Sequence, residues 1–381
     1  MDAHLHDMSR IETILAQVGC DPQPPARDLV SPVHLSTTYE RAADGSYPGG
    51  YVYTRNANPT RRRFEDAMTL LEGGVDASAF ASGMAATAAV FQSLRPGDHV
   101  IIPDDVYYGV RRLLRDSFEP WGLHVTTVDM TDLDALEHAL LPETRIVWAE
   151  TPSNPLSKIT DLRAVANVVH DANSRLIVDS TWATPLLQRP LELGADYVMH
   201  SVTKYLSGHS DVLGGVVVTK YDDDWWTRVR AEQRSAGAVL DPFSAWLAMR
   251  GMRSLGARMA LHARNARSVA DFLYEHPRVT HVHYAGHPSH PGHDVAARQM
   301  DDFGGMLSFQ VDGTAEDTLA VVGRTHVFAR ATSLGGTESL IEHRASIEEQ
   351  PTATPDNLVR LSVGLEHVDD LIEDLDRALS G

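Results

Sequence analysis

Two runs decide the fold: RLIVDSTWATP at 175–185 and ADYVMHSVTKYLSGH at 195–209. Each carries a short apolar, β-branched-rich stretch that stops on polar residues, Asp179 and Ser180 in the first and Ser201, Thr203 and Lys204 in the second. That is the pattern of a buried strand running into a loop. It recurs upstream in HVIIPDD (99–105), LHVTTVDM (123–130) and TRIVWAETPSNP (144–155). Between these lie segments with helical spacing: RRRFEDAMTLLEGG (61–74), VYYGVRRLLRDSFEPWG (106–122) and DLRAVANVVHDANS (161–174). DASAFASGMAATAAVFQSL (76–94) runs from a short strand into an Ala-rich helix. Strands alternating with helices predict an α/β fold, a mostly parallel sheet covered on both faces. Ligands in such folds bind beyond the carboxyl ends of the strands. Asp104-Asp105, Glu150-Thr151, Asp179-Ser180 and the Ser201–Lys204 group fall at those ends.

Outward from this block the pattern changes. Residues 1–50 are rich in Pro and Gly, with a short helical pattern near 11–18, and read as an N-terminal arm packed on another domain or subunit. Residues 51–245 form the expected large domain. From 241 a long helical stretch with one Gly-bearing break connects the domains. Residues 246–381 are expected to form a smaller α+β domain, with HVHYAG, GGMLSFQVDG, THVFARATSLGG and LVRLSVGLE as antiparallel strands.

The chain has 381 residues, 33 basic against 52 acidic side chains and a formal charge of −19. Such a balance argues against nucleic acid and against an anionic membrane surface. No apolar run is long enough to span a membrane. The start, MDAHLHDMSR, lacks the basic region and apolar core of a secretory leader. The single Cys20 excludes an intramolecular disulfide and fits a reducing, cytoplasmic setting. All but three of the basic residues are arginine; the lysines are Lys158, Lys204 and Lys220. Lys158 reads as lying in a solvated loop, and Lys220 as pairing with the acids of YDDDWW. The Trp225-Trp226 pair reads as packing. The five histidines of HVHYAGHPSHPGH match no tight metal pattern and read as exposed loop residues, so no metal is expected.

Three features form a constellation. ASGMAA (81–86) sets Ser82 and Gly83 at a strand-to-helix turn, an anion site by its free N–H groups and dipole, or simply a capped helix start. Ser201 and Thr203 flank Lys204, so two hydroxyls could hold phosphate while the amine forms a Schiff base; the plainer reading is a surface lysine. Asp179 could hold a pyridine nitrogen protonated, or could cap the next turn. In this order they ask for a phosphate-bearing pyridine aldehyde, pyridoxal 5′-phosphate (PLP).

With YTRNANPTR (53–61), DDVYYG (104–109), ETPSNP (150–155), VDSTWATP (178–185), HSVTKYLSGHSDVLGG (200–215), SLGGTESL (333–340) and VRLSVGLE (359–366), the chain resembles the Cys/Met-metabolism, or transsulfuration, family of PLP enzymes. That family includes cystathionine γ-synthases, γ- and β-lyases, methionine γ-lyases and O-acylhomoserine sulfhydrylases. The resemblance implies fold type I, the aspartate aminotransferase-like architecture. It implies Lys204 as the residue joined to the cofactor, Asp179 on the pyridine nitrogen, and Ser82, Gly83, Met84, Ser201 and Thr203 around the phosphate. Tyr53 and Arg55 would reach the phosphate of a neighbouring subunit, making a homodimer the least assembly and a homotetramer the expected one. Tyr107 would stack on the ring and move protons. Asn154 would contact the ring hydroxyl or the amino-acid substrate. Arg360 would clamp the substrate α-carboxylate beside Thr332 and Ser333.

The chain also departs from the family. Thr332 stands where synthases and γ-lyases commonly carry a Glu able to hold the distal amino group of cystathionine. Gly109 stands where methionine γ-lyases carry a Cys. Tyr108 replaces a common Gly, Ser180 a common Asn, and HRASIEEQPTATPDN (343–357) is shorter than the usual segment. The expected activity is γ-elimination or γ-replacement on sulfur-related amino acids, of the cystathionine γ-lyase or γ-synthase type. Methionine γ-lyase, a sulfhydrylase, a γ-replacement enzyme of specialised metabolism and a catalytically silent PLP-binding scaffold are the alternatives.

Overall fold

The computed structural model describes residues 10–20, 22, 26–348, 352 and 354–381. The start read for a leader, and parts of the 21–28 and 343–357 stretches, lie outside them. The first sheet is built from β1 (Asp76–Phe80), β2 (His99–Pro103), β3 (His124–Val128), β4 (Thr144–Glu150), β5 (Arg175–Asp179), β6 (Tyr197–Ser201) and β7 (Gly215–Thr219), in the order β1-β7-β6-β5-β4-β2-β3. Only β7 runs against the others. The mostly parallel α/β sheet is therefore present. Strands such as GVVVT and HVIIP are buried throughout, as a sheet covered on both faces requires. One face packs Phe64, Leu71, Val147 and Val178; the other packs Phe91, Trp148, Ile177 and Trp226.

Packing, not capping, places the helix Gly83–Gln92 on this sheet. Burying Val90 and Phe91 is worth about 1.5–3 kcal/mol each, against about 1 kcal/mol for the Ser82 cap. The run read as one helix at 106–122 divides into α (Tyr108–Leu113), π (Leu114–Phe118) and α (Glu119–Trp121) turns, where Pro120 brings no N–H to the ladder. Trp225 and Trp226 are buried, and Trp226 Nε1 donates to Asp76 at 3.0 Å.

The second sheet joins β8 (Val279–His283), β9 (Met306–Val311), β10 (Ala329–Arg330), β11 (Leu340–His343) and β12 (Leu358–Ser362) in the order β10-β11-β12-β9-β8. It is antiparallel except for the β10–β11 pair. Two expectations change here. THVFARATSLGG supplies only the two-residue β10, and β11 was not anticipated, being four residues with no alternation to betray it. The long helical stretch divides into Pro242–Met252 and Leu255–Glu275. Its glycines, Gly251 and Gly256, lie inside the first and second helix rather than at the break; a Cβ on Gly251 would stand 2.0 Å from the Ser207 carbonyl oxygen.

The arm holds one helix, Ile11–Ala16, anchored through buried Leu15 and through Arg253 Nε, which donates to Ala16 O at 3.2 Å. Both lysine expectations are corrected. Lys158 Nζ bridges Asp104 and Asp129 at 2.9 Å, since two carboxylates converge on its loop. Lys220 Nζ turns from the acids that follow it and donates to Leu191 O at 3.0 Å. The loop histidines are not all exposed either: burial pushes His283 down to about 3 and His290 down to about 4.

Candidate active site

The carboxyl ends of β4, β5 and β6 meet the second sheet around a cavity of about 190 Å³. Ser82, Gly83 and Met84 line one end. Ser82 caps the helix, its Oγ accepting the Ala85 N–H at 3.0 Å. The N–H groups of Gly83 and Met84, in the first turn, have no intrahelical acceptor and stand at the positive end of the helix dipole. A Cβ on Gly83 would lie 3.1 Å from the Cβ and Oγ of Ser201, and one on Gly215 would lie 2.3 Å from Ser82 O. Bare backbone thus brings the helix start against Ser201. Thr203 closes the same corner, its Oγ1 accepting the Gly214 N–H at 3.0 Å.

Asp179 ends β5, beside Glu150 in register on β4. Its Oδ1 accepts the N–H and hydroxyl of Thr181 at 3.0 and 2.6 Å. Thr181 Oγ1 in turn accepts the Ser201 N–H at 2.9 Å, tying the carboxylate to the corner just described. Burial pushes the Asp179 carboxyl up, opposed by the bonds from Thr181. Glu150 is raised well above the usual range, by burial and then by Asp179. Its Oε2 accepts the Tyr107 N–H at 2.9 Å and so fixes the start of the next helix. Burial pushes the Tyr107 hydroxyl up to about 12, with Tyr108 adding to the effect and Arg344 and Arg360 opposing it. Gly109 makes room for that ring, because a Cβ there would stand 2.5 Å from Tyr107 Cε1.

Lys204 lies between these groups and the second sheet. Its Nζ donates to Ser333 Oγ at 2.7 Å. Burial, then Arg360, push the amine down to about 8, with Glu342 opposing and Arg344 assisting. Ser333 holds a left-handed backbone, φ 93°, which is costly for a side-chain-bearing residue and marks a constrained position. Arg360, on β12, is 3% exposed. Its Nη1 donates to Asn154 Oδ1 at 3.1 Å, its Nη2 to Ser333 O at 2.9 Å, and Nη2 pairs with Glu342 at 2.7 Å. Burial, then Arg344, lower it to about 10, so it stays charged at neutral pH. Thr332 lines the rim and is exposed.

One chain therefore brings together Ser82, Gly83, Met84, Tyr107, Asn154, Asp179, Ser201, Thr203, Lys204, Thr332, Ser333 and Arg360. Tyr53 and Arg55 stay outside this chain's cavity. Tyr53 is 43% exposed, and Arg55 Nη1 donates to Arg234 O at 2.6 Å. Sequence reasoning missed Thr181 and Arg344 and gave Glu150 no role. A Thr two residues after a strand-end Asp is a turn signal that could have found the first. An Arg directly after Glu342 and His343 was the only sign of the second.

This set fits PLP by the chemistry of its donors. N–H and hydroxyl groups gather at one end around glycines whose Cβ atoms have no room. A buried carboxylate sits behind, an amine with depressed basicity stands at the centre, and a guanidinium stands opposite. Among the described residues no group of three or more His, Cys, Asp or Glu is arranged to hold a metal.

A family model described as Cys/Met metabolism PLP-dependent enzyme matches residues 12–380. A cystathionine gamma-synthase of Mycobacterium bovis is 47% identical over 367 residues, 95% of this chain and 94% of that one. A cystathionine gamma-lyase of Bacillus subtilis is 44% identical, covering 91% and 93%. The crystal structure of a cystathionine gamma-synthase from Xanthomonas oryzae pv. oryzae in complex with aminoacrylate and cysteine superposes with a TM-score of 0.94 at 37% identity, covering 98% of each chain. The fold is the α/β type I fold of PLP enzymes, the cofactor is PLP, and the chain belongs to the Cys/Met-metabolism family of PLP-dependent enzymes.

Proposed function

We propose that, within the PLP-dependent transsulfuration chemistry of its family, this chain works chiefly by γ-replacement, as cystathionine γ-synthases do. The γ-substituent leaves with its bonding electrons. A thiol sulfur forms the new bond to Cγ and gives up its proton. The carrying observation is the buried Lys204 amine, 2.7 Å from Ser333 Oγ, between the Asp179 carboxylate and the Arg360 guanidinium. PLP, when bound, supplies the electron sink for charge left at Cα.

The chain's own residues do the rest. Lys204 carries the cofactor and, once displaced by the substrate amine, moves protons at Cα and Cβ. Burial and then Arg360 lower the basicity of this amine, which favours that work. Asp179 holds the proton on the ring nitrogen. Gly83 and Met84 by their N–H groups, with Ser82, Ser201 and Thr203, hold the phosphate. Tyr107 covers the ring and Asn154 sits between ring and substrate. Arg360 takes the α-carboxylate beside Thr332 and Ser333.

Replacement is favoured over elimination by the neutral Thr332 at the rim. It offers no carboxylate to retain the distal ammonium of cystathionine, which suits cystathionine as a product that departs. The test offers cystathionine, methionine, O-acetylhomoserine and O-succinylhomoserine, each with and without cysteine. Thioether formed only with the thiol supports replacement; oxo-acid release without it would make the chain a lyase. Methionine γ-lyase and sulfhydrylase readings are not favoured, since the relatives found are cystathionine enzymes.

The organisation follows the same reading: an arm over 1–50, a cofactor domain over 51–245 and a smaller domain over 246–381. Exposed Leu29, Val30 and Leu35 on the arm, with Tyr53 and Arg55 outside this chain's cavity, support a homodimer with shared sites, itself paired into a homotetramer. Mixing Tyr53→Phe and Lys204→Ala subunits, each inactive alone, restores activity if sites are shared. The lone Cys20 suits a cytoplasmic setting.

A further inference from the structure

A second guanidinium, that of Arg344, lines the cavity with Arg360 and has no part in the proposed γ-replacement. Arg344 follows β11 directly and its side chain is 1% exposed. Its Nη1 donates to Glu342 at 3.1 Å and its Nε to Glu348 at 2.7 Å, while its Nη2 is buried with no partner among the described residues. The Tyr108 ring packs against it, centroid 5.2 Å from Cζ, and against Tyr107 at 4.8 Å. Glu342 Oε2 is shared, pairing with Arg360 Nη2 at 2.7 Å as well.

Two departures from the family pattern thereby meet. Tyr108 stacks on Arg344, and Glu348, from the shortened segment, holds it. A guanidinium fixed at two of its three nitrogens presents the third in a set direction. A structural pin would be complete with Nε and Nη1, and leaving a buried Nη2 unpaired is costly unless something binds it. Glu342 and Glu348 balance the two guanidiniums, so what this wall of the cavity offers a second anion is the unpaired Nη2 donor.

We infer that Arg344 is a specificity residue whose Nη2 binds a second carboxylate of the reacting pair, besides the α-carboxylate held by Arg360. This rests on the γ-replacement reading above. The second carboxylate can belong to the γ-substituent, as in an acyl ester ending in an acid, or to the incoming thiol.

The test uses the PLP-loaded enzyme and four pairings: a carboxylate-ended or an acetyl ester of homoserine, each with cysteine or with 2-aminoethanethiol, which lacks the carboxylate. Arg344→Gln is expected to lower kcat/KM about tenfold or more for the carboxylate-bearing member of one arm relative to the counterpart that lacks that carboxylate. Whichever arm changes identifies the source. Calorimetric titration with succinate adds a readout apart from turnover: binding weakens in Arg344→Gln and, to a smaller extent, in Glu348→Gln, where the guanidinium loses a partner that fixes its direction. Equal losses in all four pairings, or succinate binding unmoved by both variants, would overturn the inference and leave Arg344 a structural pin. If the wild-type enzyme turns over none of the pairings, the γ-replacement reading itself has failed.

Discussion

The two walls of the cavity are made differently. The floor (Ser82 to Met84, Asp179, Ser201 to Lys204) comes from the carboxyl ends of β1, β5 and β6 in one sheet. The roof (Thr332, Ser333, Arg344, Arg360) comes from loops and strands of a second sheet, and Tyr108 reaches it from the side. The floor is held by short-range bonds, Thr181 to Asp179 and to Ser201, and by glycines with no room for Cβ. The roof is held by ion pairs among Arg360, Glu342, Arg344 and Glu348. The floor can therefore bind one cofactor rigidly, while the roof can be re-tuned by exchanging single charges. The departures from the family at Thr332, Tyr108 and the 343–357 segment fall on or beside the roof.

The largest expected effect breaks the floor. Lys204→Ala should lower turnover by more than about 10³-fold, because on the proposed function Lys204 is both the cofactor link and the proton carrier. Steady-state kinetics on protein supplied with PLP measure it. Next comes the roof's fixed point. Arg360→Lys keeps the charge but loses the fork shared among Asn154, Ser333 and Glu342, and should raise KM about tenfold or more, with a smaller fall in kcat. If kcat falls and KM holds, Arg360 is not a substrate clamp.

A third prediction concerns where the floor stores strain. The Lys204 amine is depressed to about 8 from 10.5, so below pH 8 the folded, cofactor-free protein bears a buried ammonium that the unfolded chain solvates. Its stability should rise with pH between those two values. Lys204→Met should raise the Tm of cofactor-free protein near pH 7 and lose that advantage towards pH 10.5. A gain independent of pH would mean that the amine is not desolvated. The smallest effect lies at the exposed rim. Thr332→Glu should improve cystathionine use by a few-fold, about what a solvent-exposed ion pair supplies, read as kcat/KM. No gain would remove Thr332 as the discriminator.

The same contrast explains what the sequence made legible. Floor residues lie within short motifs whose strand-then-polar pattern is local, so Asp179, Ser201, Thr203 and Lys204 could be placed before any coordinates. The roof depends on pairing across long separations. β11 is too short to show alternation, and Arg344 follows Glu342 and His343 like many salt-bridged structural arginines. Lys158 and Lys220 were misread for the same reason, since their partners Asp104, Asp129 and Leu191 O come from other elements. Scarcity was informative where local pattern was not: with three lysines in the chain, and two engaged elsewhere, one amine remained for the chemistry.

That scarcity also makes the central claim directly testable. Purified protein is loaded with PLP, reduced with borohydride, digested and mapped by mass spectrometry. The pyridoxyl group should be found on Lys204 alone and should vanish in Lys204→Ala. Its recovery on Lys158 or Lys220, or on no lysine, would contradict the account.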